Sequence, residues 1–184
     1  MSHIIFEGVN RTGKSALISY LKENNLLPNH KMFYDREVRD KYHKKGKGAE
    51  APLDAQLITM IRFLELTDEQ YIFDRFHFSE YVYSVIDRGY DCLRAMLEYD
   101  KRLAKMDVKV IYMTDSTPSI AERMPCPNNQ AYFGNVDRVK MLKQHYNIIL
   151  KETKLPVMYF NYSNIKNESK CDIDELKEFL GIEN

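Results

Sequence analysis

Eight residues near the start of the chain, Gly8 to Ser15, read GVNRTGKS. A glycine, four residues, then Gly-Lys-Ser is a spacing that wraps backbone around phosphate. Gly8 and Gly13 let the chain turn tightly, so that the amides between them, those of Asn10, Arg11 and Thr12 included, converge on phosphate oxygens. Lys14 brings a cation to the outer phosphates, and Ser15 brings a hydroxyl to Mg²⁺. A helical pattern follows at once and adds the positive end of its dipole. The expected ligand is a nucleoside triphosphate with Mg²⁺, and ATP is the expected donor. Arg11 is an unusual placement within such a loop. It reads as a cation supplied in cis to the charge of phosphoryl transfer. The segment 124–135 carries no arginine of its own, so the loop is expected to provide one.

A second pair, Asp74 and Arg75, lies in FDRFHFSEYVYS, residues 73–84. Both follow an apolar run, which places them at a strand end. A carboxylate there can hold Mg²⁺ through water, and the guanidinium beside it can neutralise the phosphate or polar group of an acceptor. Phe76, His77 and Phe78 read as packing residues.

These residues need elements to hold them. HIIFEGV (3–9), KMFYD (31–35), YIFDRF (71–76), VKVIYMT (108–114) and PVMYFNY (156–162) read as strands. Between them run helical patterns: Ser15 to Lys22; Leu53, Leu57, Met60, Ile61 and Leu64 after Pro52; residues 79–106 with a break near Gly89; and Val136, Val139, Leu142, Tyr146, Ile149 and Leu150. Asp172 to Leu180 closes the chain as a helix. The alternation predicts an α/β fold, a five-stranded parallel sheet with helices on both faces, over residues 1–184 as one domain. Ligands of such sheets lie at the carboxyl ends of the strands. Two segments lack apolar period: a basic loop at 41–52, with Lys41, Lys44, Lys45 and Lys47, and a flap at 124–135 rich in proline and asparagine.

Lysine plus arginine and aspartate plus glutamate number 27 each, so bulk charge draws the chain to neither nucleic acid nor membrane. The basic loop is the local exception; it reads as a solvated surface or as a clamp on a DNA backbone. Cys92, Cys126 and Cys171 form no metal-type or disulfide-type spacing and fit free thiols in a reducing cytosol. Without a leader or a membrane-length apolar run, a cytoplasmic protein is expected.

FEGVNRTGKS followed by FDRFHFSEYVYS resembles the thymidylate kinase and deoxynucleoside kinase group of P-loop enzymes. It is most similar to thymidylate kinases that carry arginine in the phosphate loop. TDSTPSIAER (114–123) resembles the group's strand, proline-started helix and first lid arginine, which makes Arg123 an ATP-site residue and 124–135 a lid. The resemblance implies an acceptor carboxylate after strand two, Asp35 or else Glu37. It also implies a base pocket using Gln56, Arg62 and Phe63, and a homodimer through a helix in 53–106. The chain departs from the group at Asn10, where thymidylate kinases have aspartate, and in the lysine-rich loop. Both departures lie on the acceptor side.

The expected function is ATP-dependent transfer of a phosphoryl group to a deoxynucleoside monophosphate, a pyrimidine one such as dTMP. One alternative is a hydroxyl acceptor, on a free deoxynucleoside or on a hydroxymethylated base in DNA. Asp35 would then act as general base. Another alternative is a non-catalytic nucleotide-binding regulator.

Overall fold

The computed structural model describes residues 2–33, 50–123, 136–161 and 170–182. Asp35, Glu37, the four loop lysines and the 124–135 flap lie outside these residues. The strands are β1 (His3–Glu7), β2 (His30–Phe33), β3 (Gln70–Asp74), β4 (Val108–Thr114) and β5 (Val157–Asn161). The helices are α1 (Lys14–Glu23), α2 (Glu50–Leu64), α3 (His77–Tyr83, running on as a π turn through Ser84–Arg88), α4 (Leu93–Leu103), α5 (Thr117–Glu122), α6 (Val136–Glu152) and α7 (Lys170–Leu180). The expected break at Gly89 is there, with φ 65°. Residues 50–52, expected to end the basic loop, instead form the first turn of α2, whose Pro52 needs no intrahelical N–H bond there.

All four strand pairings are parallel, in the order β2-β3-β1-β4-β5. The near-continuous apolar strands are what a sheet covered on both faces requires. Every residue of β1 is buried. One face is sealed by α1 and α7, where Leu17, Leu21, Leu176 and Leu180 meet Ile4, Phe6, Ile72, Ile111 and Met113. The other face carries α2, α3, α4 and α6, where Ile61, Phe78, Met96, Leu142 and Ile149 meet Ile5, Phe73 and Val110. The helix after β1 thus lies on one face and the helices after β3 on the other. In open parallel sheets such a change of side marks the carboxyl edge, here that of β1 and β3, as the place for a ligand.

His77 and Phe78 are fully buried and Phe76 nearly so, as expected of packing residues. His77 Nε2 lies 3.3 Å from Oδ1 of the buried Asp100, which also accepts from Thr153 Oγ1 at 2.6 Å and Lys154 N at 2.8 Å. Burial works to raise the Asp100 pKa, yet the bonds from His77, Lys154 and Thr153 outweigh it and hold it below its ordinary 3.8. A depressed carboxylate contributes stability above pH 3.8, and that contribution is lost as pH falls from there through the folded-state value. Asp100→Asn weakens charge-assisted hydrogen bonds and should therefore cost about 1–3 kcal/mol at neutral pH. It should also flatten the acid limb of a stability-versus-pH curve measured by urea titration. An unchanged acid limb would show that the pair carries no such linkage.

Candidate functional site

The phosphate loop leaves β1 at its carboxyl end. Gly8 has φ 133°, and a Cβ there would lie 2.2 Å from the Met113 carbonyl oxygen, so any side chain would push the loop off β4. Thr12 Oγ1 donates to Val9 O at 2.8 Å and fixes the turn from inside. Lys14 is buried, with Nζ donating to Gly8 O at 3.0 Å and Val9 O at 2.8 Å. Its charge is folded back over the loop rather than out into solvent. Gly13 caps α1 in the left-handed conformation, with no side-chain cap and no acid in the first turn. The positive dipole end of α1 therefore faces the loop with no acidic side chain in its first turn, which favours an anion there.

Ser15 Oγ donates to Asp74 Oδ2 at 3.4 Å. The register that pairs Phe6 with Asp74 sets the carboxylate beside the loop. A hydroxyl and a carboxylate at this separation are hard oxygen donors that fit Mg²⁺ completed by phosphate and water.

Arg75 takes a left-handed backbone, φ 77°, and Arg11 does the same at φ 65°. That conformation costs a side-chain-bearing residue about 1–2 kcal/mol. Asn25, at φ 53°, is the third described non-glycine residue with positive φ, and asparagine tolerates that conformation; the costlier strain falls on the two arginines that the sequence marks out for chemistry. The Arg75 amide donates to Phe6 O at 2.9 Å. Its Nη1 reaches Gly8 O at 2.8 Å, Ser79 Oγ at 3.1 Å and Tyr146 OH at 3.1 Å, while Nη2 donates to Asn10 Oδ1. The guanidinium also lies 5.3 Å from the centroid of the Tyr83 ring. Burial acts to lower its pKa, but Tyr83, Tyr146, Glu7 and Asp74 more than offset this, so its charge is secure. Arg11 is exposed on the rim of the loop.

Two members of this network escaped the sequence reading. Glu7, fully buried at the end of β1, accepts from Phe76 N at 2.8 Å and Ser79 N at 3.1 Å through Oε1. Its Oε2 accepts from the Ser79 hydroxyl. Helix α3 has no side-chain cap of its own, so this acid from the neighbouring strand takes that part. An acid closing a strand buried on both faces was the available signal, because such a charge must have partners. Tyr146 reads from periodicity as core, and its ring is fully buried; its hydroxyl lies 3.2 Å from Gly8 O.

Arg123, at the end of α5, pairs with Asp115 Oδ2 at 2.6 Å, and Lys143 donates to Asp115 O at 2.7 Å. Gln56 is half-buried in the upper half of α2. Arg62 and Phe63 are not brought to the site. Helix α2 runs from the carboxyl edge of the sheet towards its amino edge, and at 1.5 Å per residue Phe63 lies about 20 Å down from its start. There its ring meets Tyr71 edge-on at 5.5 Å, beside the beginning of β3. Phe63, and Arg62 beside it on the helix, thus lie towards the amino edge of the sheet, away from the phosphate loop. Helical spacing identifies a face of α2 but not the height along it.

A central phosphate loop in a five-stranded parallel sheet of order β2-β3-β1-β4-β5 is the fold of P-loop nucleotide kinases. No protein-family model matches the chain, and comparison with curated proteins gives no significant match. Solved structures do resemble it over nearly its whole length. The YorR protein of Bacillus subtilis, in complex with phosphorylated GDP, superposes with a TM-score of 0.61 at 18% identity, over 96% of this chain and 98% of that one. Deoxyadenosine kinase from M. mycoides with bound dATP gives 0.56 at 18% identity, over 96% and 100%. Thymidylate kinase from Ehrlichia chaffeensis gives 0.54 at 16% identity, over 92% and 98%.

Proposed function

We propose that the chain is an ATP- and Mg²⁺-dependent kinase that phosphorylates a pyrimidine deoxynucleoside monophosphate. The observation that carries this reading is the place of Arg75. It is a secured cation tied to the first carbonyl of the phosphate loop and to Asn10, one residue on from the Asp74 that meets Ser15. Asn10 accepts from it without a charge, so this contact does not neutralise the cation that would meet an anionic acceptor. Lys14 and the loop amides hold the donor phosphates, and Arg11 meets the transferred group from the rim. Mg²⁺ between Ser15 and Asp74 would neutralise phosphate charge as it develops. Asp35 and Glu37 follow β2 and would border the acceptor; in this reading they bind or orient it, since a phosphate needs no general base.

The second reading, a hydroxyl acceptor, is supported by the likeness to a deoxyadenosine kinase. It would recruit Asp35 as base and, with DNA as acceptor, the four loop lysines. One experiment separates the two. The purified chain, with ATP and Mg²⁺, is offered deoxynucleosides, their monophosphates, and DNA with ordinary or hydroxymethylated bases. Asp35→Asn is then compared on the best acceptor. Turnover of a pyrimidine monophosphate is expected, with Asp35→Asn raising the acceptor KM more than it lowers kcat. A kcat loss of about 10²–10⁴ at unchanged acceptor KM would transfer the protein to the hydroxyl kinases.

A further inference from the structure

The Arg75 network holds two buried groups that no step of the proposed transfer uses. Glu7 comes from β1 and Tyr146 from α6, and the two side chains meet beside the loop and α3. The Tyr146 hydroxyl accepts from Arg75 Nη1 and has three places for its own hydrogen: Ser79 Oγ at 2.8 Å, Gly8 O at 3.2 Å and Glu7 Oε2 at 3.3 Å. Burial first, then the Glu7 charge, push its pKa well above the ordinary 10, so it remains a hydroxyl. Glu7 in turn binds the first-turn amides of α3 and the Ser79 hydroxyl on which Nη1 rests. Gly8 O therefore receives Arg75 Nη1, Lys14 Nζ and the Tyr146 hydroxyl within 3.2 Å.

We propose that Tyr146 and Glu7 are positioning residues, which hold the Arg75 guanidinium on the Gly8 carbonyl and so fix the acceptor-side cation in register with the donor loop. This rests on the kinase reading above for its consequence, though not for its geometry. The strained backbone of Arg75 supports it. A left-handed arginine persists only where its surroundings over-determine it, and here a backbone bond, three Nη1 contacts, Asn10 and the Tyr83 ring do so. The contacts take Nη1 and one hydrogen of Nη2. They leave Nε and the other Nη2 hydrogen for a ligand, aimed by the anchored half of the fork. A guanidinium without the Tyr146 and Ser79–Glu7 supports could rotate about its long stem, and a displacement of about 1 Å in a transfer site costs on the order of 10²-fold in rate.

The test has two readouts. In nitrogen-15 arginine side-chain spectra of the substrate-free protein, one guanidinium signal should show slowed rotation and vanish in Arg75→Lys, which assigns it. In Tyr146→Phe that signal should average. Acceptor kcat/KM should fall about 10–100-fold while the KM for ATP and the thermal midpoint stay near the parent's. Combined with Arg75→Lys, Tyr146→Phe should add little, because both act on one interaction. Glu7→Gln, which keeps an oxygen for the Phe76 and Ser79 amides, is the second variant and should release the same signal. A slow signal that survives in either variant overturns the proposal. So do additive effects in the double variant, or a rise in both KM values with a lowered midpoint. If the parent phosphorylates no acceptor but the signal still averages, the positioning stands and the kinase reading is what fails.

Discussion

Lys14→Ala is expected to lower phosphoryl transfer by about 10³-fold or more, beyond the roughly 10²–10³ measured for loss of a single neutral donor at a developing charge, because a full cation goes with it. The ammonium is buried and bonded within the loop at 3.0 Å from Gly8 O and 2.8 Å from Val9 O. A side chain so placed has other bonds to leave behind, and the fold must survive its loss for the result to be read as chemistry. Both carbonyls keep partners: Gly8 O retains Arg75 and Tyr146, and Val9 O retains Thr12. The thermal midpoint of the variant should accordingly stay within a few degrees of the parent, while ATP affinity and rate fall together. Turnover within tenfold of the parent would remove Lys14 from the mechanism; a collapsed midpoint would make its main role structural.

The phosphate loop was legible because its chemistry is written in consecutive residues. Gly8 has to be a glycine for a reason the spacing does not state, namely the Met113 carbonyl from β4, but the spacing alone was enough to place the turn. The strands were legible because burial on both faces leaves nearly unbroken apolar runs, and VKVIYMT is β4 to the residue, Val108–Thr114. What stayed hidden depends on distance. Tyr146 and Glu7 meet across 139 positions, and nothing local in either segment announces the other. Phe63 shows the converse. Its type fits a base pocket and its helix is correctly read, but the direction of α2 against the sheet carries it to the far edge beside Tyr71. Periodicity reports which way a side chain faces; only the crossover connection reports which end of the sheet it reaches.

Arg11→Ala should lower kcat by about 10³–10⁵, the range found for cis or trans arginines at transferring phosphoryl groups, with little change in the KM for ATP. Two observations make the rate, rather than the affinity, the expected place of the loss. Arg11 is exposed on the rim of the loop, whereas Lys14, which faces the enclosed side, is buried. Arg11 also holds a left-handed backbone at φ 65° where a glycine would avoid the strain. A residue kept at a cost of about 1–2 kcal/mol in such a conformation has to return that energy somewhere, and charge developing on the transferred group is where an exposed guanidinium at this position can act. Alanine at position 11 keeps the Cβ and therefore most of the backbone strain, so loss of the charge is isolated. Arg11→Gly relieves the strain as well, and should raise the thermal midpoint while losing as much rate as the alanine variant. Single-turnover measurements with saturating ATP would separate the chemical step from binding and release. A loss smaller than about tenfold in that step would mean that the cation for transfer comes from elsewhere in the chain, and the role assigned to Arg11 would have to be given up.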